Sequence, residues 1–216
     1  MATIVPAILE ETKEGFAARA EQFERVSEAQ RIQVDFCDGV FVPGKTISIK
    51  DVDLLNPAVF WEAHIMAQAP ADFFEYQLAG FGLIIIHGEA YNSEAQVVAA
   101  LTAIRGLGMK AGLGVNPETD FGGITQYAHL VDQYTLLTIH PGRQGQTILP
   151  ESFNRIHQLC ALLPDSVIEV DGGVKATNIA AVAAAGADLL VVGSALQDDP
   201  VRRFQDLQSA LLITPV

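Results

Sequence analysis

Short runs rich in Val, Ile and Leu alternate with longer stretches rich in Ala, Leu, Gln and Glu from one end of this chain to the other. That alternation is the sequence form of repeated βα units, in which each crossover returns the chain for another parallel strand. The apolar runs predict eight strands, at 3–9, 31–36, 59–66, 83–87, 110–115, 136–140, 167–171 and 189–193. Between them, 14–27, 93–106, 151–163 and 176–185 have the length and composition of helices. An open doubly wound sheet can be built from the same parts. Eight similar units without a large insertion favour closure, so the expected fold is α/β, a (β/α)8 TIM barrel formed as a single domain over 1–216.

Composition agrees with that picture and removes several classes of function. A length of 216 residues gives eight units and one core. Half the residues are hydrophobic and 18% are charged, as suits a parallel sheet covered on both faces. Lys and Arg number 13 against 26 Asp and Glu, a formal net charge of −13 that repels a phosphate backbone. No basic run offsets it, so no nucleic-acid partner is expected. Cys37 and Cys160 lack metal-type spacing and offer one disulfide at most, which fits a reducing compartment. The start MATIVPAILE lacks the basic flank and apolar length of a signal peptide, and no run approaches the roughly 18 apolar residues of a membrane span. A cytoplasmic protein with no membrane partner is the expectation.

In a barrel of this kind the loops at the C-terminal ends of the strands form the active face. That rule selects Asp35 and Asp38 after strand two, His64 and Met66 at strand three, and His87 and Glu89 at strand four. The later half adds Asn116, the stretch from His140 to Gln146, Asp171 to Gly173, and Gly193 with Ser194. Strand seven ends in IEVDGGV, and strand eight in LLVVGSA just before a helix. Glycines let backbone N–H groups approach an anion, and a helix start adds oriented amides. Each Asp-Gly-Gly or Gly-Ser alone is a turn signal; two such loops after adjacent late strands point to phosphate. The loop His140-Pro-Gly-Arg-Gln-Gly-Gln146 supplies a third wall.

Asp35 and Asp171 end strands two and seven, which a closed barrel separates by strands one and eight. Their carboxylates can face one cavity from two sides, so that one removes a carbon-bound proton and the other returns it to the opposite face. Epimerisation is the simplest such reaction. Taken alone, either aspartate caps a helix or ties a loop equally well. His64 projects at the same mouth, and Asp, His and Asp from separate strands can hold a divalent cation.

Several longer motifs run in order through most of the chain: VPAIL, VDFCDGVFVPGKT, AHIM, IHGEA, PGRQGQ, EVDGGV and GADLLVVGSA. In that combination the chain resembles the ribulose-phosphate 3-epimerase family, isomerases of pentose phosphate metabolism. The resemblance implies a barrel with two aspartates on opposite faces of a ketose phosphate such as ribulose 5-phosphate, epimerised at C3 through an enediolate. By position it implies Asp35 and Asp171 as acid–base residues and metal ligands, and His64 as a third ligand for zinc, iron or manganese. It places the phosphate and substrate against His64, Met66, Gly142, Gly145, Gln146, Gly172, Gly173, Gly193 and Ser194. A homo-oligomer and a small-molecule sugar phosphate as partner are implied as well.

The chain also departs from the family pattern. Gln33 stands where the family has a fourth metal-binding histidine, and a glutamine carbonyl is a poorer zinc donor than imidazole. Ala7 replaces a serine, Arg143 a bulky apolar residue, Gly44 an asparagine, and Cys37 and Leu137 two cavity methionines. Cys37 reads as a small buried residue, and Arg143 as a solvent residue or a contact to a second anionic group. His87 and Glu89 match family positions that support the barrel mouth. Gln33 with Ala7 leaves open a second reading, a phosphosugar-binding barrel with altered catalysis and a sensing or regulatory role. A third, decarboxylation or aldol chemistry, lacks its usual lysine beside the second-strand aspartate, the nearest being Lys45.

Overall fold

The computed structural model describes residues 2–141 and 145–213. Eight strands pair in parallel and close into one barrel in sequence order, with the first hydrogen-bonded to the last. They are β1 (Thr3–Ile8), β2 (Arg31–Cys37), β3 (Phe60–Met66), β4 (Leu83–His87), β5 (Lys110–Val115), β6 (Gln133–Leu137), β7 (Val167–Asp171) and β8 (Leu189–Val192). Alternation along a strand sends successive side chains to opposite faces. On β2, Ile32, Val34 and Phe36 face outward into the core shared with the helices, whereas Gln33, Asp35 and Cys37 face the barrel interior.

The outer layer comprises α1 (Lys13–Glu24), α2 (Phe74–Ala79), α3 (Glu94–Gly106), α4 (Ser152–Leu162), α5 (Ile179–Ala184) and α6 (Pro200–Leu211). Side-chain oxygens cap three of them at the N-terminus: Thr12 Oγ1 accepts from the Gly15 N–H (3.1 Å), Ser93 Oγ from that of Gln96 (3.4 Å) and Asp199 Oδ1 from that of Arg202 (3.2 Å). Helix α1 buries Phe16, Ala20 and Phe23, and α3 buries Val97, Leu101 and Ile104, against the outward strand faces. The expected uniformity of the eight units does not hold. Among the described residues, the crossovers after β2 and β5 carry only 3-10 turns, at Ile49–Asp51, Phe121–Gly123 and Thr125–Tyr127. Helix α5 is also shorter than expected, because Asn178 Oδ1 accepts from the Lys175 N–H (2.8 Å) and holds the preceding residues in a turn.

Strand six departs most from the sequence reading, occupying Gln133–Leu137 in place of 136–140. The cause lies in the barrel interior, part of which is polar. Gln133 Nε2 and Thr135 Oγ1 both donate to Glu169 Oε1 on β7, at 2.9 and 2.8 Å. Arg31 on β2 pairs with Glu62 on β3 and reaches across the lumen to Gln133 Oε1. Gln133 and Thr135 interrupt the apolar run that marks the other strands, so the sequence pattern shifts the strand to the Leu-rich stretch after them. On β1 and β8, which lie between β7 and β2, Val5, Ala7, Leu189 and Val191 form a separate apolar cluster. No helix among the described residues is long and apolar enough to cross a membrane.

Candidate active site

At the C-terminal mouth, a cleft open to solvent brings together eight expected site residues: Asp35, Met66, Gly145, Asp171, Gly172, Gly173, Gly193 and Ser194. The Ala7, Leu9, Leu137, Ile139, Val174 and Val191 side chains supply apolar wall. Apart from Ala7 and Leu137, these were not singled out by the sequence reading. Their only signal is position, within three residues of a strand end.

The polar centre follows from strand register. Asp35 on β2 lies opposite His64 on β3, and Asp171 is the last residue of β7. His64 Nδ1 lies 3.3 Å from Asp35 Oδ1 and 3.2 Å from Asp171 Oδ2. Gln33, two residues before Asp35 and therefore on the same face, is fully buried. Its Nε2 donates to Asp35 Oδ1 at 2.7 Å and to Asp171 Oδ2 at 2.8 Å, and lies 3.4 Å from His64 Nδ1. The sequence reading treats Gln33 only as a poor ligand. It misses this bridge, because residue type does not say which amide atom faces the carboxylates.

Burial and the negative charge of Asp171 raise the Asp35 carboxyl above the ordinary range, against the opposing hydrogen bonds from His64 and Gln33. Burial disfavours a charge on His64, but its hydrogen bonds to Asp171 and Asp35 outweigh it and push the imidazole up to about 10. Its Nε2 lies 2.8 Å from His87 Nε2. With His64 protonated, His87 Nε2 is the acceptor and must be unprotonated, in keeping with burial and the adjacent His64, which lower its pKa. The His87 hydrogen then sits on Nδ1, 3.6 Å from Glu89 Oε2, longer than a hydrogen bond. Glu89 is partly buried, yet His87, the Thr119 hydroxyl and the Asn116 N–H hold it down to about 2. A polar line thus runs from the two aspartates through His64 to His87, with Glu89 3.6 Å beyond it.

Asp35, His64 and Asp171 each offer a ligand atom, all within 4.8 Å of one another. Tetrahedral ligands about 2.0 Å from zinc lie about 3.3 Å apart, close to the His64–aspartate spacings. Two carboxylate oxygens and an imidazole nitrogen suit a divalent metal, so the donor set fits one. Gln33 Oε1 is buried without a hydrogen-bond partner, and as placed it is the amide nitrogen that faces the centre.

The glycine loop after β7 is shaped by its backbone. Gly172 and Gly173 have φ of 113° and 71°, left-handed values that favour glycine. A Cβ on Gly173 would lie 2.5 Å from Ile148 N, so the chain passes here with no room for a side chain. Three expectations need correction. The loop after β8 enters a 3-10 turn at Ser194–Leu196, and α6 begins only at Pro200, so no α-helix start adds its amides at Ser194. His64 has no exposed surface and lies beneath the cleft wall, since it is wedged between the aspartates and His87. Gln146 Nε2 donates to His140 O (2.7 Å) within its own loop. Gly142 and Arg143 lie outside the described residues.

Other candidates have structural partners. Asp38 accepts from the N–H groups of Val40, Phe41 and Gln68, at 2.8, 2.9 and 2.7 Å, tying the loop after β2 to the end of β3. Cys37 packs with Val42 and Met66, and burial beside Asp35 pushes its thiol up to about 12, which rules out a thiolate nucleophile near neutral pH.

The sequence pattern of the ribulose-phosphate 3 epimerase family matches residues 3–197. A ribulose-phosphate 3-epimerase from Synechocystis is 34% identical over 206 residues, 91% of this chain and 88% of the relative. That of Escherichia coli K12 is 32% identical over 184 residues, 80% of this chain and 79% of the relative. Among solved structures, 3-hexulose-6-phosphate synthase from Salmonella typhimurium superposes with a TM-score of 0.69 at 16% identity, covering 97% of this chain and 98% of that one. The 3-keto-L-gulonate-6-phosphate decarboxylase from Vibrio cholerae gives 0.74 at 14% identity, covering 97% of each. These two structures share the fold.

Proposed function

The chain belongs to the ribulose-phosphate 3-epimerase family, and from that premise we propose that it is an isomerase converting a ketose phosphate such as ribulose 5-phosphate into its C3 epimer. The observation that carries the reading is the pair of aspartates from β2 and β7, joined at one buried centre beneath a cleft walled by glycine loops. The backbone at Gly172, Gly173, Gly193 and Ser194 receives the phosphate, directing the carbonyl end of the sugar to the aspartates. One carboxylate takes the C3 proton, and the C3–H electron pair moves towards the C2 carbonyl to give an enediolate. The other, entering protonated, delivers its proton to the opposite face of C3. The raised pKa of Asp35 suits it to hold that proton, and the two residues exchange roles with direction.

Asp35, His64 and Asp171 hold the divalent metal, zinc, iron or manganese by family resemblance, which when bound supplies Lewis-acid polarisation of the substrate oxygens. His87 accepts from His64 Nε2 and keeps Nδ1 turned to the aspartates. Gln33 in place of a fourth imidazole predicts substoichiometric zinc by elemental analysis of protein purified without chelator, rising in Gln33→His; full zinc occupancy in the unaltered chain would contradict the ligand argument. Sedimentation tests for the homo-oligomer that the resemblance implies. For the reaction, purified protein incubated with ribulose 5-phosphate is expected to form the C3 epimer, and Asp35→Asn to lower the rate by about 100-fold or more. No turnover with or without added divalent metals would favour the phosphosugar-binding, regulatory reading.

A further inference from the structure

We infer that the Gln33 amide is a positioning device that holds the two aspartates in register without a metal, by giving one N–H to each. The inference rests on Asp35 and Asp171 being the working pair. A primary amide nitrogen has two hydrogens, and at 2.7 and 2.8 Å from carboxylates of two separate strands both are used. Two carboxylates sharing a buried site repel, and a bridging donor relieves the repulsion much as a cation does.

The amide orientation is fixed by the same contacts. Turning Gln33 Oε1 inward would set a third oxygen against the two carboxylate oxygens and take both amide hydrogens away from them. The cost of the present orientation is the orphaned Oε1, and two hydrogen bonds to charged acceptors offset it. Gln33 cannot swing away, because its backbone is in register with Ala7 on one side and Glu62 on the other and its side chain is fully buried. The nitrogen also lies 3.4 Å from His64 Nδ1, so it occupies the fourth corner of the group formed by the three ligand atoms. A cation held by Asp35, His64 and Asp171 therefore competes with the amide hydrogens for the same carboxylate oxygens, or turns the amide over to present Oε1. Imidazole at this position gives one nitrogen to the centre and cannot donate to both aspartates from it.

The test uses chelator-stripped protein, with removal verified by elemental analysis. The unaltered chain is expected to melt within about 2 °C of its zinc-supplemented form, whereas stripped Gln33→Glu and Gln33→Leu melt about 5 to 10 °C lower than the stripped parent. Zinc should restore Gln33→Glu, which offers a carboxylate, and not Gln33→Leu. Nitrogen-15 NMR of the stripped parent should show the Gln33 side-chain amide hydrogens protected from solvent exchange, a measurement that needs no variant to fold. Unprotected amide hydrogens, or a stripped parent as destabilised as Gln33→Glu, would overturn the inference. None of these readouts depends on ribulose 5-phosphate, so a failed substrate assignment leaves them decisive.

Discussion

Asp35 and Asp171 belong to different strands yet accept hydrogen bonds from one nitrogen, so the two carboxylates proposed to react are tied together by the Gln33 amide. Neither aspartate distinguishes itself from a capping residue by type. Their company does, and only part of that company is legible in sequence: the i, i+2 spacing puts Gln33 and Asp35 on one face, whereas the amide orientation emerges from three strands meeting. The glycines are clearer, because left-handed backbone leaves few alternatives. Gly173→Ala would put a Cβ 2.5 Å from Ile148 N at a φ of 71°, so the loop must shift. If that loop seats the phosphate, KM for the sugar phosphate should rise about tenfold or more with a smaller effect on kcat, and the strain should cost about 1–3 kcal/mol of stability in urea unfolding. An unchanged KM would move the phosphate elsewhere.

Period-two alternation and the glycine-marked ends make most of the strands readable, and β4, β5 and β7 keep the expected bounds. Strand β6 is displaced because the lumen beside it is polar, with Gln133 and Thr135 serving Glu169. Burial and the nearby charge of Glu62 raise Glu169 well above its ordinary 4.5, only partly opposed by Arg31. A carboxyl that stays protonated in the fold contributes stability fully present below about pH 4.5 and lost as pH rises through its folded pKa. Glu169→Gln keeps a donor towards Glu62 and an acceptor for Gln133 and Thr135. It should match the parent in urea unfolding at pH 4.5 and exceed it at pH 8 by on the order of 1 kcal/mol. Equal losses at both values would mean that Glu169 is ionised in the fold.

Over the whole molecule, the barrel gathers residues distant in sequence at one end, such as Gln33 and Asp171, 138 positions apart. Closure is legible from the repeat of eight units, and so is the meeting of Asp35 and Asp171 at one mouth from their places on β2 and β7. The unequal crossovers after β2 and β5 are not, since a 3-10 turn and a short helix have similar composition. On the proposed reading, glycine loops on one side hold the phosphate and the bridged carboxylate pair on the other moves a proton between the faces of the sugar. The most direct test is turnover of ribulose 5-phosphate in deuterium oxide, stopped early, with both epimers recovered and C3 assayed by NMR. Two aspartates acting from opposite faces predict solvent deuterium at C3 of the product while recovered substrate keeps largely protium. Product formed with C3 protium retained, or no label in either pool despite intact folding and added metal, would contradict the account.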